Sequence, residues 1–239
     1  MQKEILHEFA ITRNGIIVSA KNAPKGEDYF CPSCKDKFIL KNSGKTGRGS
    51  RRPHFAHNNF EGNCSYESYL HNTFKIKTLE IINEYINKKL PLNVSWKCNN
   101  CNLIHNGNFL IADVKIEHNM KECIPDIALF DHTGRVFAVI EIIYKHPPEE
   151  KTVIFYLQNK IILIQVNIFS EEALNNVENR IRNPTSINIC LRQQIPIKPR
   201  INANYRMNNG VPRDFIDNPN KYYSKNGNIY KKRYWKKRR

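Results

Sequence analysis

The sequence predicts an α/β fold of the α+β kind, a mixed sheet with helices preceded by a small β-rich segment. Three stretches predict it. CIPDIALFDHTGRVFAVIEIIYK, from Cys123 to Lys145, holds two short apolar strands joined by the turn Asp131-His132-Thr133-Gly134. YESYLHNTFKIKTLEIINEYINKK, from Tyr66 to Lys89, sets Leu70, Phe74, Leu79, Ile82 and Ile86 near helical spacing. EILHEFAIT and GIIVSA are strand-like runs on either side of Arg13-Asn14-Gly15, where Asn-Gly favours a tight hairpin.

Composition bounds what the chain can be. Its 239 residues suit one ordinary domain with appendages, or two small ones. Hydrophobic residues make up 40%, enough for a core, while a mean hydropathy of -0.59 leaves a polar surface. No apolar run approaches the roughly 18 residues of a membrane span. MQKEILHEFAITRNG lacks an apolar h-region, so no secretory signal is expected and the expected location is intracellular: cytoplasmic, or nuclear or viral-factory in a eukaryotic or viral setting. Seven cysteines, four of them in two Cys-x-x-Cys pairs, point to metal ligation in a reducing compartment rather than to a disulfide framework. The net charge of +16 is uneven: residues 180–239 hold 16 Lys/Arg against two Asp, leaving 22 against 20 in residues 1–179. A like-charge block of this kind is attracted to a polyanion, and nucleic acid is the expected partner.

Along the chain, Cys31-Pro-Ser-Cys34 is a metal-binding knuckle, and His54-Phe-Ala-His57 followed by Cys64 supplies a second half-site. Five candidates compete for four positions. Cys31, Cys34, His57 and Cys64 form the favoured set for a structural zinc, with His54 as the alternate; free thiols and surface histidines are the competing reading. Between the half-sites, KDKFILKNSGKTGRGSRRP carries Lys35, Lys37, Lys41, Lys45, Arg48, Arg51 and Arg52 against the single acid Asp36, a composition suited to phosphate contact or simply to solvation. Ser65 is a plausible N-cap for the helix and Pro91 marks its end. On that helix Glu67, His71 and Lys75 fall at i, i+4 and i+8 and share a face. A second pair, Cys98 and Cys101, has His105, Cys123 and Cys190 as available further ligands, none at diagnostic spacing.

The Cys123–Lys145 block carries the chemistry. Asp126 heads its first strand and Glu141 lies near the end of the second. A carboxylate among Ile and Val is costly without a partner, and two on adjacent strands can share one divalent cation, Mg²⁺ or Mn²⁺. A turn cap at Asp126 and an edge solubiliser at Glu141 are the competing reading. NFLIADVKIE is expected to be the neighbouring core strand, with Glu117 at its end as a further acid; EEKTVIFYLQNK reads as a short helix, IILIQVNIF as a buried central strand, and SEEALNNVENRI as a helix capped by Ser170. Residues 183–239 read as a linker or basic, disordered arm whose last stretch, KYYSKNGNIYKKRYWKKRR, interleaves basic and aromatic residues in the manner of single-strand binding, with a nuclear-localisation-like run or a solubility tail as the competing readings. The expected division is 1–64, 65–182 and 183–239.

Taken in order, Cys31, Cys34, His54, His57, Glu67, Leu70, His71, Lys75, Pro125, Asp126 and Glu141, with EIIYKHPPEE after them, resemble the CoiA-like competence protein family over roughly residues 25–170. The resemblance implies a zinc-binding segment ahead of a restriction-endonuclease-like PD-(D/E)xK core that processes or binds DNA. It implies Asp126 and Glu141 as ligands of a catalytic magnesium or manganese, Glu67 as a further acid reaching from the helix, and His71 and Lys75 as groups that orient it or contact phosphate. The motif also carries a lysine two residues after its Glu, where this chain has Ile143; Lys145, or Lys75 from the helix, are the substitutes. The implied function is a metal-dependent nuclease acting on DNA. The alternatives are a catalytically inactive nucleic-acid-binding zinc protein on the same fold, serving DNA uptake, recombination or processing, and a zinc-based adaptor.

Overall fold

A computed structural model describes residues 7–42, 52–58 and 64–191, together with the backbone of short strands at 195–196, 222–225 and 228–231. Residues 1–198 form one compact unit and 199–239 a second.

The first unit opens with a five-stranded antiparallel sheet in the order β2-β1-β3-β4-β5: β1 (Phe9–Thr12), β2 (Ile17–Ser19), β3 (Tyr29–Phe30), β4 (Lys37–Lys41) and β5 (His54–His57). The β1–β2 hairpin turns at Asn14-Gly15, where Gly15 has φ +80°, a conformation glycine adopts without steric cost.

Helix α1 (Tyr66–Asn87) follows. The Ser65 side chain accepts from the Ser68 N–H at 3.0 Å, and Glu67 in the first turn favours the helix dipole. At the other end Lys89 takes φ +54° and donates to the Ile86 carbonyl, while Leu90 donates to Tyr85, a Schellman closure before Pro91. Leu70, Phe74 and Ile82 are fully buried between the first sheet (Phe9, Tyr29, Phe38 and Phe55) and a second one (Ile127, Leu129, Ile140 and Ile164), so the helix is the shared wall of one continuous core. Each such side chain contributes about 1.5–3 kcal/mol of burial.

The second sheet runs β12-β11-β10-β9-β8. Its strands are β8 (Asp113–Ile116), β9 (Ile127–Phe130), β10 (Val136–Ile143), β11 (Ile162–Asn167) and β12 (Ser186–Ile187). The sheet is mixed: β10 and β11 are parallel and the other neighbours antiparallel. In the β9–β10 turn, Asp131 accepts from the Thr133 hydroxyl and from the Thr133 and Arg135 N–H groups, and Gly134 takes φ +78°. Helix α2 (Glu150–Gln158) covers the other face, where Tyr156 packs with Val139, Ile161 and Leu163.

Four expectations are corrected. NFLIADVKIE is not one strand: β7 (Ile104–Phe109) pairs with β6 (Leu92–Lys97) as a separate hairpin, and β8 starts only at Asp113, where Ala112 donates to Phe130. SEEALNNVENRI splits into α3 (Glu172–Asn175) and α4 (Val177–Arg182) without a Ser170 side-chain cap. There Asn176 leaves helical geometry (φ -130°, ψ 33°), and the Asn175 and Glu171 side chains bond to Glu8, the residue before β1. The core also does not close at residue 182, since β12 adds an edge to the sheet and β13 (Ile189–Cys190) pairs with β14 (Ile195–Pro196). The second unit is not wholly irregular: β15 (Tyr222–Lys225) and β16 (Asn228–Lys231) form an antiparallel hairpin. Among the described residues no helix is long and apolar enough to cross a membrane.

Candidate functional site

The β9–β10 register brings the two acids together. Ile127 pairs with Ile140, so the next step sets Asp126 across from Glu141. Side chains from α1 close over Asp126. His71 Nε2 donates to its Oδ2 at 2.8 Å, the Ile142 N–H donates to the same oxygen at 2.9 Å, and Lys75 Nζ stands 3.5 Å from Oδ1. The i, i+4 spacing of His71 and Lys75 is what allows one helix to supply both groups. Lys75 also donates to Glu117 at 2.6 Å, which brings that acid to the rim of the site. Burial acts to raise the Asp126 carboxyl, yet the bond from His71, its charge, the Ile142 N–H and Lys75 outweigh burial and hold it below the ordinary carboxylate range.

Glu141 behaves oppositely. Burial first, and then the neighbouring Asp126 charge, push it up to about 7, although the Tyr156 hydroxyl donates to its Oε1 at 2.6 Å and works the other way. Tyr156 escaped the sequence reading; the signal that could have found it is a hydroxyl on the sheet-facing side of the helix after β10.

The remaining expected residues divide. Lys145 lies beyond the end of β10 at Ile143, so strand alternation does not carry it to the Glu141 face. It is 62% exposed and pairs with Glu67 at 3.6 Å, making a separate, more open ion pair. Lys75, by contrast, is 7% exposed and faces Asp126 directly. His71 and Lys75, expected to orient the acids or to meet phosphate, are engaged with Asp126 and Glu117. Arg52 pairs with Glu171 at 3.5 Å. Lys45, Arg48 and Arg51 lie outside the described residues.

Cys31, Cys34, His57 and Cys64 converge, each offering a ligand atom within 4.8 Å of the others. Cys31 and Cys64 sulfurs are 3.6 Å apart, and Cys34 Sγ is 3.3 Å from His57 Nε2. The knuckle turns because Cys31 N–H donates to Asp36, Lys35 N–H donates back to Cys31, and Lys35 takes φ +65°. The alternate ligand, His54, is outside this group and bonds the Arg52 carbonyl through Nδ1. Burial pushes the Cys31 thiol upward against the backbone N–H groups aimed at it, a cost that a bound cation removes. A second group of the same composition gathers Cys98, Cys101, His105 and Cys190. Cys123 is not part of it and lies beside Tyr156 and Glu141.

The class so defined is a mixed α/β protein with several sheets and, near its N-terminus, a Cys/His cluster able to hold a metal ion. Residues 17–67, which span all four ligands of that cluster, match the family model "Competence protein CoiA, N-terminal domain", and the match supports a CoiA-like competence protein family. No curated protein and no solved structure matches the chain.

Proposed function

We propose that this chain is a metal-dependent nuclease-like protein acting on DNA, with a PD-(D/E)xK-type core and a structural zinc at Cys31, Cys34, His57 and Cys64. The observation that carries the reading is the Asp126–Glu141 pair on adjacent central strands. One oxygen of each acid is fixed by a protein donor, and burial, with repulsion from Asp126 added to it, holds Glu141 up to about 7. That donor set fits a hard divalent cation, which offsets the repulsion between the acids. Bound there, Mg²⁺ or Mn²⁺ would lower the pKa of a water and neutralise charge on a phosphodiester oxygen.

The chain's own residues do the rest. His71 and the Ile142 N–H hold Asp126 in one rotamer, and Tyr156 does the same for Glu141. Lys75 presents a cation 3.5 Å from Asp126, in the place of the lysine missing at Ile143, and stabilises charge developing at phosphorus. The basic C-terminal quarter supplies attraction to the DNA backbone.

A second reading, nucleic-acid binding without cleavage on the same fold, is favoured by Ile143 itself. The discriminating experiment incubates labelled single- and double-stranded DNA with Mn²⁺, Mg²⁺ or EDTA, using wild type, Asp126→Ala and Glu141→Ala. Cleavage by wild type alone, abolished by EDTA, is expected. Salt-dependent binding by all three proteins with no cleavage would establish the second reading instead.

A further inference from the structure

The β6–β7 hairpin carries a knuckle with the same backbone as the one at Cys31. Cys98 N–H donates to the carbonyl five residues on, Leu103, at 2.9 Å; Cys31 does so to Asp36 at 2.8 Å. Asn102 N–H donates back to Cys98 at 2.9 Å; Lys35 does so to Cys31 at 3.1 Å. Asn102 takes φ +57° and Lys35 φ +65°. This turn aims backbone N–H groups at the first sulfur, which favours thiolate and metal.

The other two ligands come from different directions. His105 sits on β7, and its Nε2 is 3.2 Å from Cys101 Sγ. Cys190 comes from β13, 89 residues after Cys101; its buried sulfur is 3.7 Å from Cys101 Sγ and 3.8 Å from His105 Nε2. A tetrahedral zinc with Zn–S of about 2.3 Å and Zn–N of about 2.0–2.1 Å requires edges of about 3.8 Å between sulfurs and about 3.6 Å from sulfur to nitrogen. The observed separations have that scale. Cys190 is also delivered independently of any metal, because Trp96, the β6 partner of His105, donates from Nε1 to the Ile189 carbonyl at 3.1 Å.

We infer that Cys98, Cys101, His105 and Cys190 form a second structural zinc site, a clasp that locks β13 onto the β6–β7 hairpin. On binding, the three thiols release their protons to solvent and His105 coordinates as neutral imidazole, so four protein ligands close the shell and leave no position for chemistry. The clasp fixes Cys190, after which the chain carries 14 Lys/Arg against two Asp. It thereby anchors the root of the basic C-terminal quarter to the core.

The test is zinc content of the full chain, purified under reductant and dialysed, read by inductively coupled plasma mass spectrometry. Wild type and Cys123→Ser are expected to hold two zinc ions per chain, Cys190→Ser and Cys34→Ser one each, and Cys34→Ser/Cys190→Ser none. One zinc in wild type, or two retained in Cys190→Ser, would overturn the assignment. Cobalt substitution of the wild-type protein keeps the question open to decision if a variant does not fold. Thiolate-to-cobalt and tetrahedral d–d bands that saturate at two equivalents agree with the clasp, and saturation at one equivalent refutes it.

Discussion

Lys75→Met separates the proposed chemistry from the architecture that surrounds it. Lys75 Nζ lies 3.5 Å from Asp126 Oδ1, and at an effective dielectric of about 20 that separation corresponds to a gross attraction of about 5 kcal/mol. Part of it is offset by the desolvation of a lysine that is 7% exposed, but Lys75→Met removes only one partner of the pair and leaves the buried Asp126 carboxylate with one compensating charge fewer, a change that costs about 3–5 kcal/mol where nothing else compensates. Asp126 keeps His71 and the Ile142 N–H, while Glu117, 61% exposed, returns to water. With those two donors kept, a stability loss of about 1–3 kcal/mol, or about 2–12 °C in Tm, is expected, and cleavage is compared at a temperature where every variant is folded. The reaction is affected differently. Loss of one preorganised charge from a transition state removes about 2.7–4 kcal/mol, which is a 10²–10³-fold fall in rate at about 1.4 kcal/mol per decade. Lys145→Met, at the open Glu67 pair, is expected to cut within about threefold of wild type. The assay is single-turnover cleavage of labelled DNA with Mn²⁺, alongside thermal unfolding of each variant. Wild-type cleavage by Lys75→Met, or an equal loss in Lys145→Met, would refute the assignment of the motif lysine's role to α1.

Three further outcomes follow from the same geometry. Cys34→Ser removes one ligand of the first Cys/His cluster and is expected to lower the thermal midpoint and expose the first sheet to protease, with zinc chelation reproducing the effect in wild type. Tyr156→Phe deletes the 2.6 Å bond to Glu141; cleavage is expected to fall about tenfold, with a higher Mn²⁺ concentration needed for half-maximal rate and about 1–2 kcal/mol less stability. Glu171 is pushed upward, chiefly by burial and against the Glu8 N–H that it accepts. A raised folded-state carboxyl contributes stability that is present below the unfolded pKa and lost as pH rises through the folded one. The urea midpoint of wild type is therefore expected to rise, relative to that of Glu171→Gln, as pH falls from neutral into the ordinary carboxylate range, and parallel pH profiles would sink this account.

The local parts were legible because they depend on neighbours in sequence. The α1 helix follows from its apolar spacing, the Ser65 cap and the Pro91 stop, and the β1–β2 and β9–β10 turns follow from Asn-Gly and Asp-His-Thr-Gly. The convergence of Cys31, Cys34, His57 and Cys64 was readable as well, since the two halves are close in the chain. The helix break at Asn176 was not, because it arises where Asn175 and Glu171 bond to Glu8, a residue more than 160 positions away.

By itself the sequence determined the candidates: two acids beside short apolar runs, a helix face bearing His71 and Lys75, and two Cys-x-x-Cys pairs. Tertiary structure alone decided which of them meet. It placed Lys75 rather than Lys145 against Asp126, because β10 ends at Ile143 and α1 packs across the sheet. It put Tyr156 on Glu141 and left Cys123 outside the second cluster. It also brought Cys190 to Cys101 across 89 residues, a pairing set by the packing of β13 on the β6–β7 hairpin, which no spacing rule along the chain encodes.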